Sequence, residues 1–237
     1  VRNIGPAALP FLTRWIHYDP PQWRHTLVYW LFRTPLPFAQ KLSERVTDPT
    51  LANGTPIAFA VLGTQAMPAF DDLCRFMNDA KRPGAAMRAA MVLPVFGSNA
   101  LAPLLAVVTN SSHPAQITAL RTVLAIADSG NAQQVVPAVA NCLVATNTGA
   151  VKMLAITILG KLYTAPETSI PALVSCLKSA NPEVRVYSAD TLGAFGSRAS
   201  TAIPALTNAL GDPDPLVRKQ AAWALTKIAP AAFTNAP

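Results

Sequence analysis

Residues 181–229 read NPEVRVYSADTLGAFGSRASTAIPALTNALGDPDPLVRKQAAWALTKIA. The pattern is a helix, a short turn, a second helix, a turn rich in Pro and Asp, and then the first helix again. Val184 and Val217 are 33 residues apart (217 − 184), as are Ser188 and Ala221, Leu192 and Leu225, and Phe195 and Ile228. Four core-type positions in one register mark a structural repeat, because a lone amphipathic helix repeats only every three or four residues.

The same beat runs upstream. Val151, Ala155, Leu159 and Leu162 precede Val184, Ser188, Leu192 and Phe195 by 33 each. A proline follows an apolar or small residue in each unit: Met67-Pro68, Ala102-Pro103, Val136-Pro137, Ile170-Pro171 and Ile203-Pro204. The steps are 35 (103 − 68), 34 (137 − 103), 34 (171 − 137) and 33 (204 − 171). Proline suits the first turn of a helix, where its missing N–H has no partner to lose, so each is expected to open a second helix. Gly63, Gly160 and Gly193 follow a leucine near the end of the first helices and are expected to admit a close neighbour. Pro94 is expected to bend its helix. Gln116 and Arg121 stand where other repeats place apolar or small residues.

Residues 1–50 depart from this pattern and are expected to form a helical cap or partial repeat. The array follows over 51–237, in units of about 51–80, 81–112, 113–147, 148–180, 181–213 and a partial 214–237. Residues 1–16 read as a turn and a helix, Gln22–Phe32 and Ala39–Val46 as further helices, and 47–56 as a loop. Phe11, Trp15, Tyr18, Trp23, Tyr29, Trp30, Phe32 and Phe38 all fall before residue 40. With Arg14, Arg24 and Arg33 beside them they make a candidate docking surface, of which Arg14, Trp15, Trp23, Arg24 and Trp30 are the named members. The competing and favoured reading has these rings cover the end of a repeat core. Exposed apolar edges are expected at one or both ends of the array, to be capped either within a longer parent protein or by a neighbouring chain, self-association being one way to do so.

The 237 residues are 51% hydrophobic and 13% charged, enough apolar material for a large core. The net charge is +7, with pI near 9.7. That charge is spread thinly: six basic and three acidic residues in 1–50, four and three in 51–110, four and two in 111–180, five and four in 181–237. No Lys/Arg run exists, so a nucleic-acid partner is disfavoured. No uncharged apolar run is expected to reach the length of a membrane span. Cys74, Cys142 and Cys176 cannot pair completely and read as buried thiols. The N-terminal residues lack the regions of a signal peptide, and nothing here names a compartment.

The unit PEVRxxxAxxLGxxG…AIPALxxALxDPDPLVR resembles the HEAT repeat, in the short form related to phycobilisome-lyase repeats. Pro182, Glu183, Val184, Arg185, Ala189, Leu192, Gly193, Gly196, Ala202, Ile203, Pro204, Ala205, Leu206, Asp212, Val217 and Arg218 carry the likeness, which covers roughly 50–229. The resemblance implies an all-α right-handed α-α superhelix, a solenoid of about five helical hairpins. It implies loop residues that hold a neighbouring arginine, here Asp212, Asp214 and Asn181 with Arg185 and Arg218. It also implies a concave face lined by second helices. Counted from each proline, the fourth residue on is Asp72, Val107, Asn141, Ser175 and Asn208; the third is Asp71, Ala106, Ala140, Val174 and Thr207. Asp71, Asp72, Asn141, Ser175, Thr207 and Asn208 are the candidate partner-binding residues of that face.

Catalytic signatures are lacking: no phosphate-binding glycine loop, GxSxG or HExxH occurs. No cofactor or metal site is expected. The sequons Asn53-Gly54-Thr55 and Asn110-Ser111-Ser112 are expected in loops. The sequence reads as a non-catalytic scaffold that binds a protein or peptide. The alternative is a nucleic-acid module of the HEAT-like DNA glycosylase type, for which Trp15, Trp23, Trp30 and Asp19 are present but a basic groove is not.

Overall fold

The computed structural model describes residues 5–19, 50–145 and 148–230. Trp23, Arg24, Trp30 and Arg33, and the helices expected over 22–32 and 39–46, lie outside them. The chain is all-α, with no strand among the described residues, and forms two compact units, Val1–Gly97 and Ser98–Pro237.

The first unit contains α1 (Leu9–Ile16), α2 (Thr50–Leu62), α3 (Phe70–Met77) and α4 (Pro83–Val92). Leu12, Ile16, Phe59, Leu73, Met77 and Leu93 are its largest fully buried side chains. A 3-10 segment, Gly63–Ala69, leads into α3, and Gly5–Ala8 leads into α1 in the same way. The loop expected over 47–56 is helical from Thr50, with Pro56 inside the helix. Thr55 is buried, so the first sequon sits on a helix and not in a loop. α1 is tied down beyond its last turn. Arg88 donates to the Ile16 carbonyl from Nε (3.2 Å) and Nη2 (3.1 Å), and the Gly84 N–H donates to Asp19 Oδ2 at 3.1 Å.

The second unit runs α5 (Leu101–Val108), α6 (Gln116–Ile126), α7 (Ala132–Ala145), α8 (Gly149–Leu162), α9 (Pro166–Cys176), α10 (Pro182–Ala194), α11 (Ile203–Ala209) and α12 (Pro215–Ile228). First helices α6, α8, α10 and α12 alternate with second helices α5, α7, α9 and α11. Each first helix packs on the second helix that precedes it, α6, α8, α10 and α12 pack in turn on one another, and so do α5, α7 and α9. The 33-residue register is the core itself. Val151, Val184 and Val217 are buried, as are Ala155, Ser188 and Ala221, then Leu159, Leu192 and Leu225, then Leu162, Phe195 and Ile228. Each hairpin thus shields its neighbour, which is how short repeats too small to fold alone become stable.

The prolines do not all open helices. Pro204 and Pro103 lie in the first turns of α11 and α5, and Pro68 lies in the 3-10 segment before α3. Pro137 and Pro171 sit inside α7 and α9, each preceded by a helical turn of its own. There the ring forfeits one bond to the carbonyl four residues back, a loss the buried neighbours Val135, Val136, Ser169 and Ile170 offset by packing. Where the chain takes the other route, a 3-10 turn precedes the proline, as in Gly196–Ala202. Pro94 falls in such a segment, Leu93–Ala100, which ends α4.

Glycine serves two purposes here. Gly63 and Gly196 adopt positive φ (56° and 58°) at the joint between helices of a hairpin. Gly193 is where backbones meet: a Cβ there would lie 2.5 Å from the Trp223 ring and 2.9 Å from Ala224 Cα. Gly160 makes only ordinary contact, 3.4 Å from Thr191, so the expectation of close approach holds for Gly193 and not for Gly63 or Gly160. Gln116 is buried and satisfied: Nε2 donates to the Val108 carbonyl at 2.9 Å and lies 3.7 Å from Cys142 Sγ. Arg121 is exposed, so it is no core position.

Candidate functional site

On the second helices of the second unit, most residues turned away from the core are small or neutral. Asn141 on α7, Ser175 on α9, and Thr207 and Asn208 on α11 are all exposed. Asn141 and Asn208 make no side-chain hydrogen bond among the described residues, so both amides keep their donors and acceptor for a ligand. Ser175 Oγ donates to the Ala172 carbonyl at 2.6 Å, and Thr207 Oγ1 to the Ile203 carbonyl at 2.9 Å. Their protons are spent within their own helices, which leaves oxygen lone pairs to accept.

The proline count misplaces two members of the expected row. Val107 and Ala140 are buried. The buried column is Val107, Cys142, Cys176 and Ala209, with steps of 35, 34 and 33, and the exposed column is Ala106, Asn141, Ser175 and Asn208. Pro103 therefore stands one residue out of register with Pro137, and Ala106 replaces Val107 in the outward row. Cys142 and Cys176 are buried free thiols, and burial raises the pKa of each; Cys74 is only half-buried. Exposed companions of the row are Gln133, Gln134, Val144, Glu167, Pro171 and Lys178, one acid and one base among neutral groups. A phosphate-tracking groove requires a line of Lys and Arg, and the described second helices of this unit do not supply one.

Asp71 and Asp72 belong to the other unit, on α3. Asp71 is exposed, and Asp72 pairs with Arg75 one turn on, which offsets much of its charge. Arg14 is exposed on α1, and half-buried Trp15 meets the exposed Phe11 ring at 6.4 Å. Among the described residues no three His, Cys, Asp or Glu side chains could hold a metal ion.

The residues expected to hold arginines divide by role. Arg185 grips Asp212 with two prongs, Nε to Oδ2 and Nη2 to Oδ1, both 2.8 Å. Its Nη1 donates to the Ser179 carbonyl at 2.8 Å. The pair is nearly enclosed, at 12% and 10% side-chain exposure. The guanidinium bond holds the Asp212 pKa below the ordinary carboxylate value. Asn181 and Asp214 instead cap α10 and α12, accepting from Glu183 N (2.9 Å) and Leu216 N (2.8 Å). Arg218 donates to the Asp212 and Pro213 carbonyls at 2.8 and 3.0 Å.

Sequence reasoning missed the joint at Tyr163. Its φ is 48°, Arg198 Nη1 donates to its carbonyl at 2.9 Å, and its ring meets Phe195 edge-on at 5.6 Å. Its place 33 residues before Gly196 was the available signal. The stretch Pro83–Val108 spans 26 residues and is long and apolar enough to cross a membrane by composition. It is not one straight helix, because Gly97 breaks it (φ 57°, ψ −133°), and α4 already buries Ala85, Ala86, Ala89, Ala90 and Val92 within the protein. It is no clear membrane span.

Residues 170–235 match the family model for HEAT repeats. No curated protein matches the chain.

Proposed function

We propose that this chain, a HEAT-repeat protein by its residues 170–235, is a non-catalytic scaffold that binds a protein or peptide along the outward row of its second helices. HEAT repeats commonly serve as protein-interaction scaffolds. The observation that carries the finer reading is the row Asn141, Ser175 and Asn208: exposed, in register on three successive second helices, and holding unspent amide groups at both ends. Amides and hydroxyls of this kind suit the peptide groups of a partner, each of which carries one donor and one acceptor. Exposed Val144, at 69%, adds apolar contact beside Asn141. We assign residues 5–19, the described part of the first fifty, to a cap on the array, and Arg14 and Trp15 to its surface.

The test replaces Asn141, Ser175 and Asn208 with arginine. Each is exposed, so helicity and thermal midpoint are expected to stay as they are. Capture of a partner by the wild-type chain is expected to disappear with the triple variant. Unchanged capture by a folded variant would refute the docking row. The nucleic-acid reading finds no support in this face, whose charged members are Glu167 and Lys178.

A further inference from the structure

Four turns that lead from a second helix to the next first helix carry a side-chain acceptor at the same place. Asp79 Oδ1 accepts from Lys81 N at 3.1 Å, His113 Nδ1 from Ala115 N at 3.1 Å, Ser179 Oγ from Asn181 N at 3.3 Å, and Asp212 Oδ1 from Asp214 N at 2.9 Å. They stand in one register, at steps of 34 (113 − 79), 66 (179 − 113, two repeats) and 33 (212 − 179). Each closes its turn by holding the N–H two residues on, just ahead of the following helix.

His113 differs from the other three in what a proton does to it. A carboxylate or hydroxyl keeps its lone pairs in neutral and mildly acid solution, whereas an imidazole accepts only while one ring nitrogen is bare. Because Nδ1 accepts, the ring's one proton sits on Nε2, which is buried and meets no partner among the described residues. A second proton goes to Nδ1 and turns the acceptor into a donor. No rotation of the ring restores it, since both nitrogens of an imidazolium donate. The N–H left facing it belongs to Ala115, wholly buried and next to the start of α6, where a cation is itself unfavourable. Burial lowers the imidazole pKa, and no charged group of any described element acts on the ring. Of the helices packed on α5 and α6 in this unit, α7 carries Cys142 and α8 carries Lys152 and Lys161; α6 itself carries the exposed Arg121, and α5 has no titratable group. Lys161 is spent on the Leu124 carbonyl at 2.8 Å, toward the far end of α6.

We propose that His113 makes the turn between α5 and α6 a pH-sensitive joint: proton uptake at Nδ1 in mild acid opens this turn and unpins the start of α6, while the turns closed by aspartate and serine stay shut. The opened chain takes up the proton near the ordinary imidazole value, and the closed turn only below it. The opened state therefore binds more protons in the interval between, so closure is complete above the ordinary value and is lost as pH falls through the lower one. The joint lies in a connecting turn and draws on no residue of the second-helix row.

Amide hydrogen exchange of the full chain between about pH 7.5 and 5.5, the range in which imidazole titrates, tests this. After correction for the intrinsic pH dependence of exchange, the Ala115 amide and the first turn of α6 are expected to lose protection, by up to about tenfold per pH unit below the ordinary imidazole value. The Asn181 and Asp214 amides, at the equivalent turns, are expected to keep theirs. His113→Asp installs the acceptor used at 79 and 212, so it should hold the protection of Ala115 constant over the same interval, and His113→Asn should do the same. His113→Ala should show, already at the upper pH, the fast exchange that the wild type reaches in acid. Protection of Ala115 in the wild type as indifferent to pH as that of Asp214 would overturn the proposal. A loss that persists unchanged in His113→Asp and His113→Asn would do so too. Without any variant, a His113 ring seen by NMR to titrate at or above the ordinary imidazole value would overturn it as well.

Discussion

At the scale of single residues, two positions differ in sign for one reason, the space and dihedral angle available to a Cβ. Glycine inside a helix ordinarily costs about 1 kcal/mol relative to alanine. At 193 that preference reverses, because the added methyl would overlap the Trp223 ring and the Ala224 backbone. Gly193→Ala is expected to destabilise by about 1–3 kcal/mol, the usual range for overpacking. Ala165 has the opposite difficulty. It is held at φ 45°, where an L side chain is strained by about 1–2 kcal/mol. Ala165→Gly is expected to stabilise by about 1 kcal/mol. Urea denaturation of both variants checks the pair, and the same sign for both would contradict this account. His113 shows another residue-scale cost. Its Nδ1 accepts from Ala115 N at 3.1 Å, which leaves the proton on a buried, unpartnered Nε2, and burial lowers its pKa.

At the scale of elements, the Arg185–Asp212 pair joins α10 to the turn before α12. Hydrogen bonds to charged groups contribute about 1.5–3 kcal/mol, and this one has two prongs and little exposure. Asp212→Asn keeps the shape and removes the charge, so a loss of about 2 kcal/mol is expected at neutral pH. The pH dependence follows from the depressed Asp212 pKa. In the unfolded chain this carboxylate titrates near the ordinary value; in the folded chain it titrates lower. The unfolded state thus binds more protons in the interval between, and stability falls there as pH falls. The contribution is whole above the ordinary carboxylate pKa and is lost as pH drops through the folded value. Thermal midpoints measured down through that interval should fall less steeply for Asp212→Asn than for the wild type. Equal slopes would show that the pair does not carry the effect.

At the scale of the molecule, 19 basic and 12 acidic residues give a net +7 without a concentrated patch. Affinity for duplex DNA rises with the number of phosphates neutralised together, and so does its salt dependence. Weak binding with a shallow salt slope is expected in a fluorescence anisotropy titration at two salt concentrations. A steep slope would restore the nucleic-acid reading. The fold was largely legible because the repeat makes the sequence state its own core three times. Val184, Ser188, Leu192 and Phe195 are buried for the same reason as their partners 33 residues away. The candidate face was legible less fully: Asn141, Ser175, Thr207 and Asn208 are exposed, but Val107 is not.

The sequence by itself determined that helical hairpins recur and which apolar positions face inward, since burial of a periodic stripe is a local property of each helix. Tertiary structure decided the rest. Pro103 and Pro137 look equivalent in the sequence, yet only the packing column of Val107, Cys142, Cys176 and Ala209 shows them one residue out of step. Gly160 and Gly193 look alike, yet only Gly193 lies against a neighbour's ring and backbone. Arg185 and Arg218 occupy the same place in their repeats, yet among the described residues one is closed by a carboxylate and the other bonds only to backbone carbonyls. Each distinction depends on what the adjacent hairpin brings within a few ångströms, and that is set by packing between helices far apart in the chain.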